Sequence, residues 1–417
     1  MSRATEATRI LQSAADSLQG NHHLQHRIAV SQDLPGLFAA WTELEARAAA
    51  TAFQSHAWCS AWAAAVAGQR RSETPYIVTI FEGERLVLVW PLAVRWIGPF
   101  RVLVSFGDPA TQCSDALVEP GMRQGLLLEA AWAEVAARRN AHALFIKGVR
   151  SDAAIAGMAV LRDDAWVTRV DAAPFADFRS RAQTGPTSQT GPAGARSGRS
   201  RNALQRHLRN LAKHGPVTFE MIDGPAARVA AIREVLELKR AWIIRKAQFS
   251  AGYSHPANAG FLQTLAARED FIIARLAVAG KTAALEAGVL RGGRYWSLAQ
   301  SYDARYALHG PGRLLIWHMI QRAASLGVEV LDFLAPAFPH KCEWSNGETP
   351  VRDYVIPLRP GGHAITLYFR HIRPRLKVLL VRWYRTNTGP GAAPKPAGTG
   401  LRSRRSRRPR SRPGAVQ

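Results

Sequence analysis

Gly310 and Gly312 flank Pro311 at the start of an apolar stripe. Leu314, Leu315, Ile316, Met319, Ile320 and Ala323 recur there at helical spacing. A strand pattern, RYWSLAQSYD, precedes them. A glycine loop that opens a helix after a strand offers free backbone N–H groups at the positive end of a helix dipole, where a phosphate can sit. Taken alone, the same Gly-x-Gly is equally an ordinary tight turn. Tyr306 lies in the loop, and Arg313 beside it carries a fork suited to bidentate phosphate pairing. One carboxylate, Glu286, interrupts the apolar run TAALEAGVL. Facing a sheet core it would have a raised pKa, which suits a general base. Facing solvent it would be a surface charge, and alternation alone permits both.

These groups depend on the elements that carry them. From Phe271 to Leu334 the pattern reads strand, strand, strand, glycine loop, helix, strand. Gly280-Lys281 and Gly292-Gly293 stand where hairpin turns belong, and Gly327 is the expected helix stop. The chain before it, AARVAAIREVLELKRAWIIRK and NAGFLQTLAARED, reads as two helices.

This order resembles the GNAT acetyltransferase core, in which an antiparallel meander leads into a pyrophosphate loop, a helix and another strand. The wording YWSLAQSYDARYALHGPGRLL, then LDFL, then HKCEW, is similar to the cellulose-biosynthesis-associated (CelD/BcsL-type) acetyltransferases. Two departures are visible. Ala307 stands where the GNAT loop usually has Gln or Arg, and Pro311 removes a donor amide. The resemblance implies an α/β (α+β) chain built as a tandem GNAT-like fold, with mixed, mostly antiparallel sheets flanked by helices. It implies acetyl-CoA as co-substrate, held by Tyr306, Gly310, Gly312, Arg313 and Leu314. Direct transfer needs a base and a proton for the leaving thiolate. Glu286, Asp303 and Asp332 are the candidate acids and bases, and Tyr302 the proton donor. Lys341 and Trp344 match the family's Lys-x-x-Trp pattern and are expected to contact substrate. Asp115, in a loop of the first half, is a candidate for the acceptor site.

Composition bounds the rest. The chain has 417 residues, 47% hydrophobic, enough for two domains. Cys59, Cys113 and Cys342 are isolated, which suggests neither a metal site nor a disulfide framework. Net charge is +24, and the segment from Arg382 onward supplies ten basic residues without an acid. The remaining body is still basic, which suits coenzyme A, RNA or an anionic membrane. The N-terminal segment lacks the apolar core of a signal peptide, and no apolar run approaches the roughly 18–20 residues that span a bilayer. A cytoplasmic location, with peripheral attachment to the membrane's inner face, is the expectation.

The domain reading is a leader over 1–27, a degenerate GNAT-like domain over 28–179 and a Gly/Ser/Pro-rich linker over 180–200. A GNAT domain follows over 201–360, opened by a basic helix. Residues 361–385 read as a basic amphipathic segment broken near Pro374, and 386–417 as an Arg-rich disordered tail. Trp58 and Trp62 are expected in the core. The functional expectation is acetyl transfer to an amine or hydroxyl of a small-molecule or sugar-linked acceptor, in exopolysaccharide or cell-envelope synthesis. Rival readings are a FemAB-like aminoacyl transferase using aminoacyl-tRNA, and a non-catalytic protein bound to membrane or nucleic acid. Peripheral contact with an anionic membrane is assigned to 364–417, with nucleic acid ranked below it.

Overall fold

The computed structural model describes residues 26–49, 51–69, 73–138, 141–179, 198–246, 250–376 and 378–379. Most of the expected leader, linker and tail lies outside these residues. At their edges, strand begins at His26 and helix at Gly198, so ordered structure starts slightly earlier than the sequence suggests.

In the first half β1 (His26–Ser31) leads through helices α1 (Phe38–Arg47) and α2 (His56–Val66) to β2 (Thr74–Glu82), β3 (Arg85–Ile97) and β4 (Phe100–Ser105). The short β5 (Leu117–Val118), helix α3 (Gln124–Arg138), β6 (Ala143–Arg150) and β7 (Trp166–Asp177) follow. The second half opens with helix α4 (Gly198–Ala212) and β8 (Val217–Met221). Helices α5 (Pro225–Arg245) and α6 (Asn258–Ala266) lead to β9 (Phe271–Val278), β10 (Lys281–Arg291) and β11 (Arg294–Tyr302). Helix α7 (Pro311–Gln321), β12 (Val330–Asp332), β13 (Gly347–Pro357) and helix α8 (Gly362–Leu367) complete it.

The halves repeat one topology. β1 to β4 are antiparallel neighbours, and β4 pairs β6 in parallel across α3. β8 to β11 are likewise antiparallel, and β11 pairs β12 in parallel across α7. The next strand of each half is exchanged. β7, from the first half, pairs β12, and β13, from the second, pairs β6. β7 and β13 also pair each other, so one sheet runs β1-β2-β3-β4-β6-β13-β7-β12-β11-β10-β9-β8. The linker therefore divides the chain without dividing the sheet. β7 and β13 carry weak alternation, and their place follows from the partners they meet, while β8, VTFEM, alternates over only five residues.

Local sequence explains the turns. Gly292 and Gly293 have φ of 53° and 71°, the two positive values a two-residue hairpin turn needs. α7 stops at Gln321, six residues before Gly327, and a 3₁₀ turn over Ala324–Leu326 fills the interval. β3 is buried on both faces over Leu86–Val94, as expected of an apolar run covered by helices above and below.

One sheet face is covered by α1, α2, α5 and α6 in a core that crosses both halves, with Trp41, Trp58, Trp62, Ile232 and Phe261 fully buried. The other face is covered by α3 in the first half and by α4 and α7 in the second. Among the described residues no helix is long and apolar enough to cross a membrane.

Candidate active site

The parallel ladder between β11 and β12 is short. It pairs Arg294, Tyr295 and Trp296 with Val330, Leu331 and Asp332, and then the strands part. β11 runs on to Tyr302, with Leu298 as an extra residue between the pairs Gly288–Ser297 and Ala287–Ala299. β12 ends, and the chain turns through Leu334, whose φ is 58°, toward a short helix at Pro339–Cys342. Past Trp296 and Asp332, no ladder joins Ser297–Tyr302 to Leu334–Lys341.

Asp332 fixes the fork. It is fully buried, and its Oδ2 accepts from Arg150 at 2.9 Å and Arg294 at 2.7 Å. Its Oδ1 accepts the Leu334 amide at 2.9 Å. Two guanidinium groups and an amide occupy its oxygens, so the catalytic role expected of Asp332 is corrected to an anchor. Arg150 comes from β6, so this anchor also ties the first half to the fork.

Glu286 lies inside the sheet, 3% exposed, which decides between its two sequence readings. Ser297 Oγ donates to its Oε1 at 2.5 Å. Burial pushes the Glu286 carboxyl up to about 8, against the Ser297 bond and the charges of Lys239 and Lys341. Lys341 Nζ donates to the Leu334 carbonyl at 2.9 Å. Burial, then the charge of Lys239, brings its ammonium down to about 8, while Glu286, Asp332 and Asp171 oppose the fall.

Two further groups reach β11 beyond the fork. Lys239, on α5, donates to the Gln300 carbonyl at 3.1 Å, and Tyr253 donates to the Leu298 carbonyl at 2.9 Å. Lys239 Nζ lies 5.3 Å from the Tyr253 ring centre. Burial lowers the Lys239 pKa, and burial with Glu286 raises that of Tyr253. Neither residue was selected from the sequence. Lys239 stands beside Arg240 in a charged helix, and nothing local separates it from a surface lysine.

The loop before α7 holds the expected donor-binding residues. Gly310 caps the helix at φ 57°, in the left-handed region that favours glycine. Its carbonyl accepts the amides of Arg313 at 3.0 Å and Leu314 at 3.1 Å. Pro311 has no N–H, so among the described residues the Gly312 amide is the one left without a partner in this first turn. Of the residues expected to hold the donor, Arg313 and Leu314 therefore have their amides engaged within the turn. The Leu314 side chain is core, and the Arg313 guanidinium pairs Glu343. His207 of α4 packs beside Gly310, and His214 and His309 meet at 3.0 Å between their Nε2 atoms. Tyr306 is buried, edge-on to His214. The result is a basic, histidine-rich rim around one free amide.

Four expected chemical residues have other work. Asp303 caps the turn before the loop through the Arg305 amide at 2.8 Å and pairs the Arg305 side chain at 2.6 Å. Arg305 holds it below the usual carboxylate range, so it orders the loop instead of taking protons. The Tyr302 ring lies 5.8 Å from the Arg245 guanidinium, a contact to α5 with no tie to Glu286. Trp344 is 1% exposed in the core under α7, which removes it from substrate contact. Asp115 accepts the amides of Ala116, Ala154 and Ile155 at 2.8, 3.2 and 3.1 Å. Burial still carries it up to about 7 against those bonds. It closes the 3₁₀ turn at Ala154–Gly157 and offers no free oxygen to an acceptor.

The fork, the loop and the buried carboxylate fall within residues 198–342, which match the family described as acetyltransferase (GNAT) domain. The chain carries a GNAT acyltransferase domain. Among solved structures the GNAT-bearing chain is similar to FemX, with TM-score 0.56 and 10% identity, over 82% of this chain and 99% of that one. It also matches a conserved protein of unknown function from Bacteroides thetaiotaomicron VPI-5482, with TM-score 0.47 and 14% identity, over 80% and 100%. A third match is a tandem GNAT protein from the clavulanic acid biosynthesis pathway, with TM-score 0.43 and 12% identity, over 81% and 99%. At such identities the FemX likeness speaks for the fold alone. No curated protein matches the sequence.

Proposed function

We propose that this GNAT acyltransferase moves an acetyl group from acetyl-CoA to an amine at the β11/β12 fork, with Glu286 as the base. The observation that carries the reading is the pair of buried, charge-coupled groups Glu286 and Lys341, one bonded to Ser297 of β11 and the other to Leu334 beyond β12, where the ladder between those strands has ended. An extended donor arm bearing amides can pair the part of β11 that has left β12, and its phosphates fit the Gly312 amide, His207 and Arg313. Ionised Glu286 takes a proton from the attacking amine as the new C–N bond forms and the C–S bond breaks. The Lys341 ammonium returns a proton to the departing thiolate, and solvent restores both groups. We assign the acceptor's approach to Lys239 and Tyr253, which both bond to β11 carbonyls beyond the fork. The likeness of the loop region to the CelD/BcsL-type acetyltransferases supports an envelope or exopolysaccharide precursor as acceptor.

A second reading has its own support. The FemX-like fold spans both halves, and the loop before α7 offers few free amides. Both favour a FemAB-like aminoacyl transferase that takes its acyl group from aminoacyl-tRNA. Calorimetric titration of the full chain with acetyl-CoA, repeated on Gly312→Trp, separates the readings. Binding by wild type that Gly312→Trp loses supports the first. Absence of heat with acetyl-CoA at low salt, alongside retention of aminoacyl-tRNA on a filter, overturns it in favour of the second.

A further inference from the structure

After Phe369 the chain continues as a helix that no other described residue buries. α8 is anchored by Ile365, Thr366 and Phe369, and the Phe369 ring stacks on Phe145 at 4.0 Å. The helical path then continues through a π turn at Tyr368–Ile372 and on past Pro374. The wider turn accommodates a proline that has no N–H and would crowd the carbonyl four residues back, which is why the break expected near Pro374 does not occur. Beyond Phe369 every described side chain is exposed. Leu367, Ile372, Leu376, Val378 and Leu379 show 57, 50, 44, 66 and 59% of their surface.

Interleaved with them are Arg370, Arg373 and Arg375. No acidic residue occurs anywhere after Asp353, while arginines and lysines continue to Arg412. The Arg370 guanidinium lies 4.7 Å over the ring of Trp166, itself 43% exposed at the start of β7. Val170, on the same strand, is 69% exposed. Apolar side chains, an exposed tryptophan and arginines thus share one end of the molecule.

We propose that this end, built from residues 367–376 and 378–379 with Trp166 and Val170, docks on an anionic lipid surface. Leucine, isoleucine and valine side chains enter the boundary between headgroups and acyl chains, and the arginines stay at the level of lipid phosphates. Charge complementarity selects this occupant. A second copy of the same face would bring Arg370, Arg373 and Arg375 against their equivalents. Nucleic acid would satisfy the arginines and leave the aliphatic side chains in water. The proposal is independent of which acyl donor the site uses.

Co-sedimentation of the full chain with vesicles tests it, using phosphatidylcholine alone and phosphatidylcholine mixed with phosphatidylglycerol. The expected result is partition to the anionic vesicles only. Ile372→Asp with Leu376→Asp should reduce partition at least about ten-fold without moving the melting temperature. Arg370→Gln should reduce it about five-fold. Failure of wild type to pellet with anionic vesicles overturns the proposal. So does undiminished pelleting of the double variant, which would leave the Arg-rich segment after Arg382 as the sole attachment. A lowered melting temperature in the double variant also overturns it, because the face would then be packed against protein. Loss of RNA binding in that variant with vesicle binding intact would assign the face to nucleic acid instead.

Discussion

Ser297 Oγ and Glu286 Oε1 meet at 2.5 Å across neighbouring strands, where Glu286 is buried and Ser297 half-buried. The bond is the polar partner that a buried carboxyl requires, and it aims the second oxygen of Glu286 without neutralising the effect of burial. With its pKa pushed up to about 8, Glu286 is mostly protonated at pH 7 and becomes a base as pH rises. Replacing it with glutamine should lower the transfer rate by about 10²–10⁴-fold while leaving donor binding unchanged. The rate of wild type should climb as Glu286 ionises and fall as Lys341 loses its proton, a bell with its maximum near pH 8, and the variant should lack the rising limb. Steady-state rates between pH 6 and 9.5 decide this, and an unchanged limb in Glu286→Gln would move the base elsewhere.

The same carboxyl makes folding depend on pH. Its pKa rises from 4.5 in the free group to about 8 when folded, so the folded state holds the extra proton between these values. Stability contributed by this group is therefore full below about pH 4.5 and declines as pH rises toward 8. The slope is at most about 1.4 kcal/mol per pH unit for one proton. Glu286→Gln should flatten that decline. Urea midpoints of both proteins from pH 5 to 8 measure it, and parallel curves would show that Glu286 is not buried as a neutral acid.

Lys239 couples to both titrating groups. Its charge favours ionised Glu286 and disfavours charged Lys341. Lys239→Met removes both influences, so the two pKa values should rise together and both limbs of the rate profile should move to higher pH. A limb that stays in place would mean that Lys239 does not act on the site.

Asp332 predicts a cost in stability. Removing it leaves Arg150, 3% exposed, and Arg294 without their shared carboxylate. Asp332→Ala should destabilise the protein by about 3–5 kcal/mol, seen as a lower urea midpoint. The fork should loosen with it, since the Leu334 amide loses its acceptor. A near-neutral substitution would contradict the anchoring role.

Gly310 separates conformation from space. A Cβ there would lie 3.7 Å from His207 Nδ1, an ordinary contact, so the cost of Gly310→Ala should come from the left-handed backbone, about 1–2 kcal/mol. Thermal unfolding reports that loss. Acetyl-CoA affinity should fall too if the loop holds the donor, because the helix start would shift.

The meander, the Gly292-Gly293 turn, the glycine loop and α7 were legible in the sequence because each is written in local period and turn chemistry, while the first hairpin turn lies one residue earlier than expected, at Ala279-Gly280. Gly292-Gly293 needs no distant partner to make its turn, and the stripe from Leu314 to Ile320 marks one face of its own helix. The exchange of β7 and β13 was not legible, because each strand's place is set by partners more than 150 residues away. The same holds for chemistry. Alternation placed Glu286 on a strand and left its face open, while Asp303, Asp332 and Asp115 resembled free carboxylates until their guanidinium and amide partners were in place. Lys239 and Tyr253 acquire meaning only because α5 and the turn after it lie over β11. Period and turn type are properties of neighbouring residues. Burial, ion pairing and the pKa values that follow from them belong to whatever the fold packs against a side chain, and for this protein the tertiary structure alone decided which acids are paired and that Glu286 is buried with a raised pKa.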